Sequence, residues 1–207
     1  MLFMLIFISR SCDNPKSRGA NETAIEAQRF SGPLATIRMP PLTADKIREI
    51  LRLQPHPIEG GCFAETYRSE LKLPGNVVGP AYPGERFIGT AIFYLLTPET
   101  FSAMHKLPGD ELFHFYLGDP VEMLKLQPDG RSEIIILGQD IAAGAHLQHC
   151  VPGGCWQGSR LLQGGAYALL GTTMSPGFDY ADYVVGNLDE LARMYPEHKD
   201  MITALTR

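Results

Sequence analysis

The chain has 207 residues, of which 44% are hydrophobic and 20% are charged; this is enough apolar material for one domain with a core and excludes disorder for most of the length. The net charge is −5 and the basic residues form no run, which argues against nucleic acid as a partner. Glycine and proline contribute 21 and 16 residues, a density of turn-forming residues that favours many short strands over a helical bundle.

Residues 1–41 are predicted to be a flexible N-terminal extension, separate from a folded domain over residues 42–207. The apolar octapeptide at residues 1–8 is too short to span a bilayer, which needs about 20 residues. It also lacks the basic start and the small-residue cleavage site of a signal peptide. We therefore expect a cytoplasmic protein without a membrane partner, with a weak targeting role of the octapeptide left open.

The folded part is predicted to begin with a helix over residues 44–53. Thr43 can cap it, because the hydroxyl accepts a hydrogen bond from the first turn. Ile47, Ile50 and Leu51 fall at helical spacing and predict one buried face. A Gln-Pro-His-Pro sequence then ends the helix, since proline removes a backbone donor.

After the helix, the apolar period changes to two, which predicts strands. Asp129-Gly130 lies between two of them and is a strong hairpin signal. Without intervening helical periods, this series predicts an antiparallel sandwich or barrel. The seven predicted strands cover residues 62–69, 87–96, 111–117, 121–127, 134–137, 156–162 and 167–173.

Two of these strands, over residues 91–96 and 112–117, are apolar on both faces. Because an antiparallel sheet usually leaves one face to water, something must cover the outside. A second copy of the chain is a good candidate, so we expect a homodimer. The chain then ends in helices: Asn187 and Glu190 form a capping box for residues 188–194, and Pro196 opens a second helix.

Three residues on the strand scaffold are candidates for chemistry: His105, Glu111 and Gln157. A Pro-Gly-Asp turn at residues 108–110 can fold the first two toward one cavity. A histidine beside a carboxylate in a partly dry barrel suits general acid–base work at neutral pH. Binding of a polar ligand without reaction is the alternative for the same pair.

These residues resemble the two sequence motifs of the cupins. The first motif is His-x-His, three or four residues, Glu, six residues and Gly; His105, Leu107, Glu111 and Gly118 take these places. The second motif is Pro-x-Gly-x-x-His, and residues 152–157 match it with Gln157 as the last residue. The resemblance extends over residues 43–206 and is greatest to an RmlC-like branch, domain of unknown function 985 (cupin_5). The segments similar to that branch are residues 55–61, 101–105, 110–119, 151–158 and 171–178.

The resemblance implies an all-β fold, the double-stranded β-helix or jelly-roll barrel, with a short N-terminal helix and C-terminal helices, and commonly a dimer. It implies no particular reaction, because the branch has no established activity. A typical cupin metal site has three His and one Glu, whereas Leu107 and Gln157 replace two of the His here. No cofactor is therefore required, and a divalent metal on His105, Glu111 and Gln157 stays an alternative.

One further histidine and one cluster of histidines and cysteines need a separate interpretation. His114 lies three residues from Glu111, so strand alternation places the two on opposite faces, and we interpret His114 as a buried or interface residue. A second cluster has the residue types of zinc ligands but no standard spacing, and coincidence is the preferred interpretation. Its members are His146, His149, Cys150 and Cys155.

The sequence thus predicts a cupin that binds a small polar, sugar- or nucleotide-like molecule in its barrel. The enzyme hypothesis is an isomerase or epimerase in which His105 is the base and Glu111 orients it; this hypothesis rests on fold analogy. A non-catalytic binding module and a metal-dependent oxygenase are the alternatives. Gln157 is expected at the ligand, and Arg68 supplies an anion contact if it points inward.

Overall fold

A computed structural model of the protein describes residues 42–207, and the predicted extension over residues 1–41 lies outside this part of the chain. The strands are β1 (Gln54–Pro55), β2 (Cys62–Arg68), β3 (Lys72–Leu73), β4 (Arg86–Phe87), β5 (Thr90–Leu96), β6 (Phe101–Lys106), β7 (Glu111–Gly118), β8 (Val121–Leu126), β9 (Ser132–Leu137), β10 (Gln148–Val151), β11 (Trp156–Leu161), β12 (Ala168–Met174) and β13 (Val184–Val185). The helices are α1 (Ala44–Leu51), α2 (Gly75–Val78), α3 (Leu188–Met194) and α4 (Lys199–Ala204).

Two antiparallel sheets face each other and enclose the core. One has the order β1-β2-β5-β12-β7-β10 and the other β13-β6-β11-β8-β9, while β3 and β4 form a separate ribbon. Side chains from the inner faces of both sheets pack into one buried cluster, which includes Tyr94, Phe113, Val121, Met123 and Ile135. The predicted all-β jelly-roll barrel is confirmed.

The predicted strands are present, and the structure adds others. The segment predicted over residues 87–96 is divided at Ile88 and Gly89 into β4 and β5. Strand β6 was not predicted, because its residues do not alternate: four consecutive side chains, residues 102–105, are buried. One side of β6 faces the barrel and the other packs under the C-terminal helices, so both faces lose contact with water.

Helix α1 begins as predicted, with Thr43 Oγ1 accepting a hydrogen bond from the Lys46 amide at 3.2 Å. It ends earlier than expected, at Arg52, whose φ of 54° is left-handed. Ile47 is buried, but Ile50 is 58% exposed, so its predicted place on the buried face is wrong. The helix covers part of the outer face of the six-stranded sheet, against a cluster that includes Leu53, Leu95 and Leu169.

The C-terminal helices cover the outer face of the five-stranded sheet. Asn187 Oδ1 accepts a hydrogen bond from the Glu190 amide at 3.0 Å, which confirms the predicted cap of α3. The second predicted helix consists of a 3₁₀ turn, Pro196–His198, followed by α4. Among residues 42–207, no helix has the length and apolar character needed to cross a membrane. The buried contacts of α3 and α4 with the sheet involve Met104, Leu124, Leu126, Leu191, Tyr195, Ile202 and Leu205.

A buried ion pair anchors the segment that precedes β13. Arg86 Nε and Nη2 donate to the two carboxylate oxygens of Asp182 at 2.7 and 2.5 Å, and both side chains are almost fully buried. Asp182 ends a short 3₁₀ turn, Tyr180–Asp182, so the pair fixes this turn to β4. The turn therefore holds Tyr180 and Tyr183 at defined places.

Breaking this pair should destabilise the fold strongly. Asp182→Asn leaves the Arg86 charge buried without its counterion, and we expect the free energy of unfolding in urea to fall by about 3–5 kcal/mol. Arg131→Gln is the matched control, because it breaks an exposed pair with Asp129, and exposed pairs contribute little to stability. Equal losses in the two variants would contradict this account.

The outer face of β5 and β7 presents aromatic side chains beside α1. Ile92 packs against the inner core, whereas the Phe93 ring meets the Tyr116 ring edge to face at 5.9 Å. Tyr116 is 41% exposed and crosses Gly171, where an added Cβ would lie 2.6 Å from the tyrosine ring. The partly exposed surface around Phe93 and Tyr116 is where the predicted dimer would form.

We predict that the protein is a homodimer through this surface. Light scattering at micromolar concentration should give twice the chain mass, and Tyr116→Lys should give the monomer mass, since a buried unpaired charge disfavours association. Ile134→Lys is the control, because Ile134 is an exposed apolar residue on β9 of the other sheet. A stable wild-type monomer would refute the dimer.

Candidate functional site

The fold brings His105, Glu111 and Gln157 together from three strands. His105 on β6 and Gln157 on β11 lie opposite each other in the ladder of the five-stranded sheet. Glu111 begins β7, which belongs to the six-stranded sheet. The turn at residues 108–110 carries the chain from one sheet to the other, so the side chains of His105 and Glu111 meet across the barrel.

A chain of short contacts links the three side chains. Gln157 Nε2 donates to Glu111 Oε2 at 2.6 Å and lies 3.2 Å from His105 Nε2. The other ring nitrogen of His105, Nδ1, donates to the Ala103 carbonyl at 2.8 Å. His105 is 1% exposed, Gln157 2% and Glu111 8%. The arrangement is a buried polar network that joins the two sheets.

The network controls the charge of His105. Burial by itself lowers the pKa of this histidine, but the negative charges of Glu59 and Glu111 and the bond to Ala103 outweigh it and raise the pKa to about 9. The ring of Tyr183 stacks on the imidazole, with centroids 4.8 Å apart and planes inclined by 14°. His105 is therefore a buried cation at neutral pH.

Protonation of His105 sets the orientation of the Gln157 amide. When Nδ1 donates to Ala103, the second proton lies on Nε2 and needs an acceptor. Glu111 Oε2 is 3.8 Å from that nitrogen. Gln157 Oε1 is buried without a donor among residues 42–207, and it becomes the nearer acceptor when the amide turns over. Charge on His105 thus competes with the hydrogen bond from Gln157 to Glu111.

The raised pKa of His105 makes stability depend on alkaline pH. The pKa rises from 6.5 to about 9 on folding, so the stabilisation is fully present below pH 6.5 and disappears as pH rises through 9. The difference in unfolding free energy between the wild type and His105→Asn should shrink by roughly 3 kcal/mol between about pH 6 and about pH 10.

His114→Asn is the control for this titration, because burial lowers the pKa of His114 and removing it should leave the alkaline limb unchanged. An NMR titration of the His105 ring in the wild type gives the same quantity directly. A midpoint near 6.5 would contradict the charge compensation by Glu59 and Glu111.

A cavity of about 70 Å³ lies next to the network. Of the three predicted residues, only Glu111 lines it, and His105 and Gln157 lie behind the wall. Leu107, which replaces the second histidine of the cupin motif, makes part of that wall apolar. The full lining consists of His56, Glu59, Phe63, Glu65, Arg68, Thr90, Ala91, Ile92, Leu107, Glu111, Thr172, Met174, Phe178 and Tyr180.

His56 and Glu59 were not predicted as site residues. The Glu59 amide donates to His56 Nδ1 at 2.9 Å, so the proton of the neutral ring lies on Nε2. Burial lowers the pKa of His56, which keeps the ring neutral. Gly60 and Gly61 have φ of 105° and 66° and turn the chain sharply after Glu59. In the sequence, the signal for these two site residues is a His and a Glu that shortly precede two consecutive glycines.

Arg68 lines the cavity, but its charge is compensated. Its Nε and Nη2 donate to the Glu65 carboxylate at 3.0 and 2.5 Å, and Nη1 donates to the Phe178 carbonyl at 3.4 Å. A β-bulge between Glu65 and Tyr67 interrupts the register of β2 before Arg68. The expected anion contact is therefore replaced by an internal ion pair.

The three residues at the cupin metal position do not fit a metal ion. The amide nitrogen of Gln157 carries two protons and lies between Glu111 and His105, where a cation would have to bind. Leu107 offers no ligand atom. Among residues 42–207, no group of three or more His, Cys, Asp or Glu side chains is placed to hold a metal. We derive no step through one.

The other histidines have structural partners. His114 lies on the opposite face from Glu111, and its ring nitrogens contact Thr173 Oγ1 at 3.1 Å and Gln148 Nε2 at 3.0 Å. In the cluster with zinc-ligand residue types, His149 Nε2 lies 3.3 Å from Lys125 Nζ.

Comparison with known proteins identifies the family. The sequence profile described as "Cupin superfamily (DUF985)" matches residues 45–185, more than half of the chain. The chain belongs to this cupin family. A curated relative is an uncharacterised protein of Saccharomyces cerevisiae, 30% identical over 150 residues, which are 68% of this chain and 75% of the relative.

Two solved cupin structures superpose closely on the chain. A hypothetical protein from Leishmania major is 32% identical, with a TM-score of 0.70, over 80% of this chain and 99% of its own. A protein from Shewanella oneidensis is 34% identical, also with a TM-score of 0.70, over 81% of this chain and 99% of its own. The jelly-roll fold is thus shared along nearly the whole described part of this cupin.

Proposed function

We propose that this cupin binds a small polar molecule in the barrel cavity and moves a proton on it, as an isomerase or epimerase does. The observation that carries the proposal is the buried chain from Ala103 through His105 and Gln157 to Glu111, of which only Glu111 lines the cavity. A buried carboxylate that faces a small cavity and is held by a hydrogen bond from Gln157 suits general base catalysis.

The geometry favours a different division of roles from the one expected from the sequence. His105 is fully buried behind the wall, so it cannot reach a ligand in the cavity without moving. Glu111 is therefore proposed as the base that takes the proton, and His105 with Gln157 as the groups that position it.

His56 completes the proposed chemistry from another wall of the cavity. Its proton lies on Nε2, because Nδ1 accepts from the Glu59 amide. A neutral imidazole can donate a hydrogen bond to a carbonyl oxygen on which charge develops, while a carboxylate removes the proton from the neighbouring carbon. Glu111 then returns that proton to the product, so no further reactant is consumed.

The volume of the cavity limits how much of a ligand it can enclose. About 70 Å³ is well below the roughly 300–1,000 Å³ of common small-molecule sites. The cavity therefore takes the reacting end of a sugar- or nucleotide-like ligand, and the remainder lies outside the cavity. Arg68 and Tyr180, which are only partly buried, are the lining residues placed to contact that remainder.

Hydrogen–deuterium exchange tests the proposed reaction. In D₂O, the protein should speed exchange of the proton beside the carbonyl in one or more of a set of small aldoses and ketoses, followed by NMR. Glu111→Gln should lower the rate by about 10²–10⁴-fold, because the base is lost. His56→Asn should lower it by about 10²–10³-fold through loss of the hydrogen bond to the oxygen.

Glu99→Gln is the control, since Glu99 is exposed in the turn between β5 and β6 and should leave the rate unchanged. Saturation-transfer NMR on the same sugars separates the two hypotheses. Binding without exchange would favour the non-catalytic module, which is consistent with the complete burial of His105. Exchange that survives in Glu111→Gln would refute the role of this carboxylate.

A further inference from the structure

The lining of the cavity holds more carboxylates than cations. Three carboxylates line it, those of Glu59, Glu65 and Glu111, together with the guanidinium of Arg68. Arg68 is hydrogen-bonded to Glu65 through two nitrogens and neutralises it. The cations that act on the other two carboxylates, His105 and Arg207, lie outside the lining. Glu59 and Glu111 therefore face the cavity with their countercharges behind its wall.

Aromatic rings form a continuous wall of the same cavity. The His56 ring meets Phe63 at 4.8 Å between centroids and Tyr180 at 6.0 Å, and Phe178 meets Tyr180 at 5.0 Å. His56 is neutral, so this wall carries no positive charge. The faces of aromatic rings attract cations, and the attraction grows as water is excluded.

We propose that the cavity selects a ligand that carries a protonated amine and rejects one that carries phosphate or carboxylate. The inference rests on the proposed function, because it assigns the ligand class of the same cavity. An ammonium group pairs with Glu59 or Glu111 and lies against the aromatic wall. An anion would be desolvated beside the same two carboxylates, which is unfavourable unless a counterion is free.

Hydrogen-bonding groups in the lining also favour a ligand that is rich in donors. The internal pairing of Arg68 removes the guanidinium as a donor for an anion. An ammonium group offers three donors and no acceptor, so it suits a wall rich in carboxylate oxygens. The donor on His56 Nε2 remains for a hydroxyl or carbonyl oxygen of the same ligand.

Three small two-carbon probes of different charge test the proposal: ethanolamine, ethylene glycol and glycolate. Their dissociation constants are measured by ligand-observed NMR titration of the full chain at neutral pH and constant ionic strength. Ethanolamine should bind at least about tenfold more tightly than ethylene glycol, and glycolate should bind most weakly. The small size of the probes matches a cavity of about 70 Å³.

Two variants of the ion pair should shift the affinity in opposite directions. Arg68→Gln leaves Glu65 without its counterion and should strengthen ethanolamine binding, whereas Glu65→Gln frees Arg68 and should weaken it and admit glycolate. Both side chains are partly exposed, so the fold should tolerate either change. Glu99→Gln, an equal charge change outside the lining, should alter nothing.

The outcomes separate this inference from the proposed function. Equal affinities for ethanolamine and ethylene glycol, or tighter binding of glycolate, would overturn the charge preference and leave the cavity as a ligand site. If none of the three probes binds, both the amine preference and the binding role of the cavity are overturned. Opposite shifts in the two ion-pair variants would support the assignment to this cavity.

Discussion

One buried amide, that of Gln157, holds the site together. It comes from the five-stranded sheet, and it donates across the barrel to Glu111 of the six-stranded sheet while lying against His105. Charged groups so far from water must keep their partners, because an unpaired buried ion costs several kcal/mol. The direction of Glu111 toward the cavity and the loss of the metal position both follow from where this amide lies.

The replacement of two metal-ligating histidines of the cupin motifs changes the chemistry of the site. In the motif positions where cupins place histidines, Leu107 offers only hydrocarbon and Gln157 offers an amide. The first closes the wall to polar groups, and the second replaces coordination with hydrogen bonds. In the reaction that we propose, Glu111 moves the proton, and His105 supplies the buried positive charge nearest to it.

Most of the strands could be predicted from the sequence, because alternation, turn residues and helix caps are local signals. Strand β6 could not, since the C-terminal helices bury its outer face and remove the alternation. The division of β6 and β7 between two sheets depends on contacts distant in sequence. The same limit applies to the site. Motif spacing identified His105, Glu111 and Gln157 from the sequence. It could not identify His56, which a turn with two glycines places at the cavity, or the pairing of Arg68 with Glu65, which depends on the bulge in β2.

The segment from Asp182 to Val185 is attached at both of its ends. Asp182 is bound to Arg86, and Val185 is paired in the ladder with His105 itself. The segment is therefore ordered when the protein folds, and little conformational entropy remains to be lost when a ligand arrives. Tyr180 lines the cavity and is 49% exposed, and exposed side chains change rotamer within picoseconds to nanoseconds. For the ligand that we propose, exchange should consequently be fast and should need no opening of a lid.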